Sequence, residues 1–536
     1  MAVTNVNFLL ADNNKLRDYI LELDTKDFNE KIITIENISQ IKTDLSLRTL
    51  KSILEGRLFI RKEDRKIILV DIIKRKYNAY DFFQKTELGI VKKRKLKKIK
   101  INNQIRNILN NKIAMLELTS GTTEQKIKAI YDIIKEGNLE ILKIIDELLS
   151  KEKNKELIFS LNLAKNSILA RFGNQTEKLK AIVSLAGSTN NDIVNILRTI
   201  AEDKSLDKNI KVEANNSLQA SLRNIKLNNI IKTTFFGLSL GSVLLLAAIG
   251  LAITFGVVGV INMAHGELIM LGAYCAYVVQ QLIPNNISAS IIISLPVAFV
   301  FTGFVGILIE RLIVKNLYGR PLETLLATFG LSLILQQIVR SIFSPLNKTV
   351  YSPEWMSGIT KIGGLELTNN RIVIIIFALL IFLIVIYILK KTVFGLQMRA
   401  VTQNRKMASA MGINTKKIDM FTFAFGSGVA GVAGVALSQI TNVGPNLGQN
   451  YIIDSFMVVV FGGVCNLFGT FIGAFGLGLG NKLLEPYVGA IVSKIFILLF
   501  IIIFIQFRPK VLFSLKGRIA DESKNSRKKT INVDKH

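Results

Sequence analysis

From Thr233 to the residues just before Arg508 the chain is a succession of apolar runs, several near the ~20 residues a helix needs to cross the hydrocarbon core of a bilayer. They begin with "TFFGLSLGSVLLLAAIGLAITFG" (234–256) and continue at about 266–282, 288–309, 322–343, 371–389, 420–440 and 493–507. None shows the alternation of a barrel strand. Backbone in lipid must satisfy its own hydrogen bonds, so these runs predict helices. A Gly-rich stretch, 451–487, is expected to enter the membrane and return as a re-entrant hairpin. The expectation is a polytopic, all-α membrane bundle, of about eight spans if that stretch crosses once and nine segments if it folds back as the re-entrant hairpin.

Loop charges orient the bundle. The linkers 310–320 and 390–418 are basic, as is the tail after Arg508, whereas "IPNN" (283–286) is uncharged. By the positive-inside rule the basic segments face the cytoplasm. Counting spans back from 310–320 places residues 1–232 outside and the C-terminus inside. The Lys excess of that N-terminal half argues for the opposite side, but long domains translocate largely regardless of charge. No cleavable signal pattern opens the chain. The expectation is that the first membrane segment does the targeting, unless a native start lies upstream.

A mean hydropathy of +0.38 alongside a net charge of +28 reflects this split into a polar and an apolar part. The divisions expected are a soluble region 1–228, a membrane domain 229–512 and a basic tail 513–536 without structure. Within the polar part, "TEQKIKAIYDIIKEGNLEILKIIDELL" (123–149) repeats at 176–200 with a spacing of 52 residues. Ile130 falls on Ile182, Ile141 on Ile193 and Ile145 on Leu197, at helical three- and four-residue steps. A weaker copy starts near 30–38. Stacked helix pairs of about this period predict a HEAT-like repeat domain. Between the copies, 58–83 is rich in β-branched residues around "RKEDRK" and predicts a small β-hairpin insertion. The run "VKKRKLKKIK" (91–100) has no interleaved aromatics and reads as a solvated basic connector rather than a nucleic-acid site. An anionic headgroup surface is the other contact it suits.

Polar residues inside the apolar half mark candidate function. "FGVVGVINMAHGELIMLGAY" (255–274) sets Asn262, His265 and Glu267 among Gly256, Gly259 and Gly266. Two readings stand: helix-end caps and inter-helix bonds at the inner surface, or a lining that binds or gates a small polar solute, joined by Gln336 and Gln337. The glycines are expected to break the helix between the first two spans. Catalytic and metal sites are not expected. There is no phosphate-binding G-x-x-x-x-G-K-[ST] loop, His265 is the only histidine besides His536, and no Ser accompanies it as a nucleophile. Cys275 and Cys465 lie in apolar stretches and read as small buried residues. No cofactor is expected.

Three segments carry a resemblance: "GVINMAHGELIMLGAY", "VFGLQMRAVTQNRKMASAMGI" (393–413) and "VVVFGGVCNLFGTFIGAF" (458–475). They resemble the signature regions of the branched-chain amino-acid permease family of bacterial ABC importers. "RAVTQNRKMASAMGI" and the long N-terminal extension are most similar to the urea permease subunit of that family. The resemblance implies an inner-membrane permease subunit forming the path for urea. It would be paired with a homologous permease, two ATPases and a periplasmic urea-binding protein; the alternative cargo is a branched-chain or other small amino acid. It also implies a coupling helix seated on the ATPase, carried by Arg399, Ala400, Asn404, Arg405, Ala408 and Gly412. Gly462, Gly463, Asn466, Gly469 and Gly473 match the third signature, where Cys465 stands at a position commonly Gly. A helical-repeat scaffold anchored by a membrane bundle is the reading from another class.

Overall fold

A computed structural model of the protein describes residues 15–507, apart from 26, 42, 74–75, 85, 138, 319, 363–364 and 465. The expectations for Cys465 and for the tail 513–536 fall outside the described residues. The chain divides into two compact units, 1–226 and 227–536.

The first unit contains helices α1 (Phe28–Gln40), α2 (Asp44–Leu54), α3 (Asn103–Ser120), α4 (Thr123–Glu136), α5 (Ile141–Lys151), α6 (Lys155–Phe172), α7 (Gln175–Leu185) and α8 (Asn191–Glu202). The repeat seen in the sequence falls on α4–α5 and α7–α8. Each copy opens with a capping box, Thr122 with Gln125 and Asn174 with Glu177, which satisfies two otherwise unpaired N–H groups. The aligned residues Ile130, Ile141, Ile145, Ile182, Ile193 and Leu197 are all fully buried in one core. Arg171 of α6 ties the layers together by donating to the Ile134 and Lys135 carbonyls at the end of α4, each at 2.9 Å.

No discrete HEAT-type domain is resolved, because the same unit holds a sheet larger than the hairpin expected. Strands β1 (Leu58–Arg61), β2 (Ile67–Ile73), β3 (Lys76–Asp81), β4 (Glu87–Ile90) and β5 (Leu96–Lys98) form one antiparallel sheet of order β4-β3-β2-β1-β5. The β2–β3 hairpin pairs Leu69 with Tyr80 and Val70 with Ala79. The basic run 91–100 is thus not a free connector. It supplies the edge strand β5, whose exposed Lys97 and Lys98 hinder further strand addition while Leu96 is buried.

Among the described residues, the regular structure of the second unit is helical apart from the small β6 (Ile359–Ile362)–β7 (Leu365–Thr368) hairpin. Its helices are α9 (Lys208–Val258, which begins in the first unit), α10 (His265–Leu282), α11 (Ile287–Leu312), α12 (Pro321–Phe343), α13 (Asn369–Lys391), α14 (Val393–Gln403), α15 (Arg405–Ala410), α16 (Thr415–Ser438), α17 (Leu447–Gly462), α18 (Leu467–Val488) and α19 (Ala490–Phe507). Among the described residues, seven helices are long and apolar enough to cross a membrane: α9, α11, α12, α13, α16, α18 and α19. The count of eight falls short by one because α10, expected as the second span, carries His265, Glu267, Gln280 and Gln281 and is less apolar. Burial separates an interior from a periphery. The apolar windows of α9 and α16 are 89% and 78% buried, against 22% and 17% for α13 and α19.

No re-entrant hairpin is resolved over 451–487. The stretch forms α17, of 16 residues, and α18, of 22 residues and long enough to span. Gly463 turns the chain between them with φ +99°, and Asn466 caps α18 by accepting from the Phe468 and Gly469 N–H groups at 3.1 Å. The glycines act in the crossing itself: a Cβ on Gly462 would run into the Gly469 backbone, and one on Gly473 would lie 2.9 Å from the Val458 carbonyl. Close backbone approach of this kind is how membrane helices pack without large side chains. The same holds for Gly241 against Gly478, Gly426 against Gly250, and Gly434 against the Ile269 carbonyl.

Candidate functional site

α9 ends at Val258, and Gly259, at φ +73°, starts the link to α10. Nothing lies within 4 Å of a Cβ built there, so this glycine is needed for its conformation rather than for space. In the link, Asn262 Oδ1 accepts from the Ala264 N–H at 3.0 Å, and Thr328 Oγ1 of α12 accepts from the Met263 N–H at 3.1 Å. The bend therefore has the internal partners that backbone removed from water requires. Gly266 does not take part in the bend. It lies inside α10 at its second residue, where a Cβ would stand 2.7 Å from the Gly448 carbonyl of α17.

His265 is fully buried, and its Nε2 lies 3.1 Å from the Ala247 carbonyl of α9. A carbonyl only accepts, so Nε2 carries the proton and Nδ1 keeps a lone pair; that atom is buried without a partner. Gly250 leaves room for the ring, since a Cβ there would meet its Cε1 at 2.8 Å.

Glu267 follows in the first turn of α10 and is 1% exposed. Its Oε1 accepts from Ser332 Oγ at 2.9 Å and from Gln336 Nε2 at 2.8 Å, both on α12. Its Oε2 is buried with no hydrogen-bond partner. Arg340, one turn beyond Gln336, donates to Gln336 Oε1 at 3.5 Å and to Asn446 Oδ1 at 2.7 Å. Residues 332, 336 and 340 follow the four-residue helical step and share one face. Gln337 does not join them: one position on, it is exposed on another face. Ser332, Arg340 and Asn446 escaped the sequence reading. The first two were within reach of it, as polar residues four before and four after Gln336 in an apolar run.

A second group lies on the basic linker. Arg399 donates to the Leu389 carbonyl at 2.8 Å, binding α14 to the end of α13. Asn404 caps α15 by accepting from the Met407 N–H at 3.1 Å, and Ala408 is buried while Ala400 is partly so. Arg405 is engaged within the chain. It pairs with the fully buried Asp419 of α16 and lies 4.8 Å from the centre of the Tyr318 ring. Burial, with Asp419 and Glu310 close by, pushes the Tyr318 hydroxyl above the usual phenol range. Gly412 ends α15 at φ +85° with open space around it. The exposed side chains of the segment include the large apolar Val393, Leu396, Met407 and Met411, set beside the polar Arg399, Gln403, Arg405, Lys406 and Ser409.

Long apolar helices enclosing buried carboxylate and amide groups, with the half-buried Arg340 guanidinium beside them, make this a multi-pass membrane protein. Residues 233–505 match the family described as "Branched-chain amino acid transport system / permease component", and the chain belongs to that family. It is a membrane permease component of the inner membrane, not a catalytic ATPase. Among its relatives, the high-affinity branched-chain amino acid transport system permease protein LivH of Salmonella typhimurium is 29% identical over 279 residues, covering 48% of this chain and 86% of the relative. The corresponding protein BraD of Pseudomonas aeruginosa is 27% identical over 282 residues, 51% of this chain and 92% of the relative. A probable branched-chain amino acid transport permease protein LivH of Methanocaldococcus jannaschii is 29% identical over 254 residues, 46% of this chain and 79% of the relative. No solved structure matches the chain.

Proposed function

We propose that this chain is the permease subunit of an ABC importer for branched-chain or similarly small amino acids. Its partners are a second, homologous permease, two ATPase subunits and a periplasmic binding protein. The family match over 233–505, with relatives named for branched-chain amino acid transport, is the observation that carries this reading. Urea was the cargo suggested by the wording of 399–413 and by the N-terminal extension, but no urea permease is among these relatives. Asn262, His265, Gly266, Glu267 and Gln336 are proposed to line or gate the path, with Gln337 outside it. The α14–α15 segment is proposed to seat on the ATPase through its exposed apolar side chains, with Arg399, Asn404, Arg405 and Gly412 shaping it from within. In vesicles holding the complete importer, ATP-dependent uptake of labelled leucine is expected, and urea is not expected to compete. Urea uptake without amino-acid uptake would reverse the assignment of cargo.

A further inference from the structure

Gln336 stands between two groups of opposite charge. Its amide N–H donates to Glu267 on one side, and its amide oxygen accepts from Arg340 on the other. The charges are joined through this neutral bridge, and Glu267 Oε2 is left buried without a donor. A buried carboxylate oxygen without a donor is costly in a low-dielectric interior, and the half-buried Arg340 guanidinium beside it meets the neutral amide oxygens of Gln336 and Asn446. An α-amino acid offers the complement. Its ammonium carries three N–H donors, and the carboxylate on the adjoining carbon is a two-oxygen acceptor suited to a guanidinium. The primary amide of Gln336 has the same order of donor and acceptor, without the charges.

We propose that Gln336 is a built-in surrogate for the zwitterionic head of the substrate. An incoming α-amino acid displaces the Gln336 amide, places its ammonium on both oxygens of Glu267 and its carboxylate on Arg340. The substrate's side chain then meets apolar residues about one turn further along. Met270 and Tyr274 of α10, Val339 of α12 and Leu447 beside Asn446 form a single buried cluster there, with Phe343 packed against it. Urea, lacking a carboxylate, would leave Arg340 without an anion. This inference rests on the amino-acid permease reading and adds the residues that read the substrate's two charges.

The test uses the complete importer in lipid vesicles with labelled leucine as the probe. Leucinamide, which lacks the carboxylate, and 4-methylvalerate, which lacks the ammonium, serve as competitors. Glu267→Gln and Arg340→Gln are expected to lower leucine uptake by roughly tenfold or more. Arg340→Gln should also erase the preference for leucine over leucinamide. Gln336→Ala removes the competing amide and is expected to lower the KM for leucine severalfold while leaving the preference for leucine over leucinamide in place. Leucine uptake within about twofold of normal in both charge variants overturns the proposal and leaves the permease reading standing. An unsubstituted importer that moves urea and no amino acid overturns both. If the charge variants do not assemble, Gln336→Ala decides: a lower KM for leucine supports the surrogate, and an unchanged or raised KM in an assembled complex overturns it.

Discussion

Gly259 and Gly266 are both glycines of one short motif, yet they are required for different reasons. At Gly266 the constraint is distance. A Val side chain would have to fit where even a Cβ lies 2.7 Å from the Gly448 carbonyl, so Gly266→Val is expected to separate α10 from α17 and abolish assembly of the bundle. At Gly259 the constraint is the left-handed backbone, and Ala there costs about 1–2 kcal/mol with no clash. Thermal melts in detergent should therefore show a small shift for Gly259→Ala, which keeps transport, and no folded species for Gly266→Val. Equal melting of the two would remove the distinction. The sequence shows that both glycines sit where an apolar helix meets polar residues. It does not show that residue 448, far along the chain, is the one that Gly266 faces.

Among the elements, α15 is held from two sides, because Arg405 pairs with buried Asp419 and also covers Tyr318. Arg405→Ala leaves the Asp419 carboxylate buried without its cation. The pair is half open to solvent, so the loss should lie between the ~0–1 kcal/mol of exposed pairs and the ~3–5 kcal/mol of buried ones. A double-mutant cycle with Asp419→Asn measures it, and additive single losses would show that the pair contributes nothing. Met411 differs: 77% exposed, it has little to lose in folding. Met411→Glu is expected to leave the melting temperature unchanged and to reduce substrate-stimulated ATP hydrolysis in the complete importer. Unaltered stimulation would place the ATPase contact elsewhere. The ends and faces of such helices were legible in advance, because apolar spacing and capping residues are local. The Arg405 partners were not, since Asp419 and Tyr318 belong to other elements. Glycine content in 451–487 suits a re-entrant loop and a close helix crossing equally, and only the spanning length of α18, 22 residues, separates them. The 58–83 segment was legible as strand but not as part of five strands, because β4 (ELGI) and β5 (LKK) are only 4 and 3 residues long and carry no run of β-branched residues.

For the whole molecule, sidedness is open to direct measurement. Span parity predicts that the polar unit lies outside if α10 crosses the membrane despite its lower apolarity, so protease added to intact spheroplasts should then remove residues up to about 225 and spare the membrane unit. Protection until the membrane is breached would show that its Lys excess had governed insertion. The glycine crossings bear on motion as well. Gly250 on Gly426, Gly272 on Gly431 and Gly434 on the Ile269 carbonyl join α9, α10 and α16 by bare backbone. Such a joint has one register, because sliding by a residue brings a side chain to a place with no room for it. These three helices therefore move as one stiff block, and any opening must come from a helix outside it. α12 is such a helix. On the proposed path, Glu267 would then stand on the fixed jamb while Gln336 and Arg340 ride on the door, and the gap between them would widen from one side only.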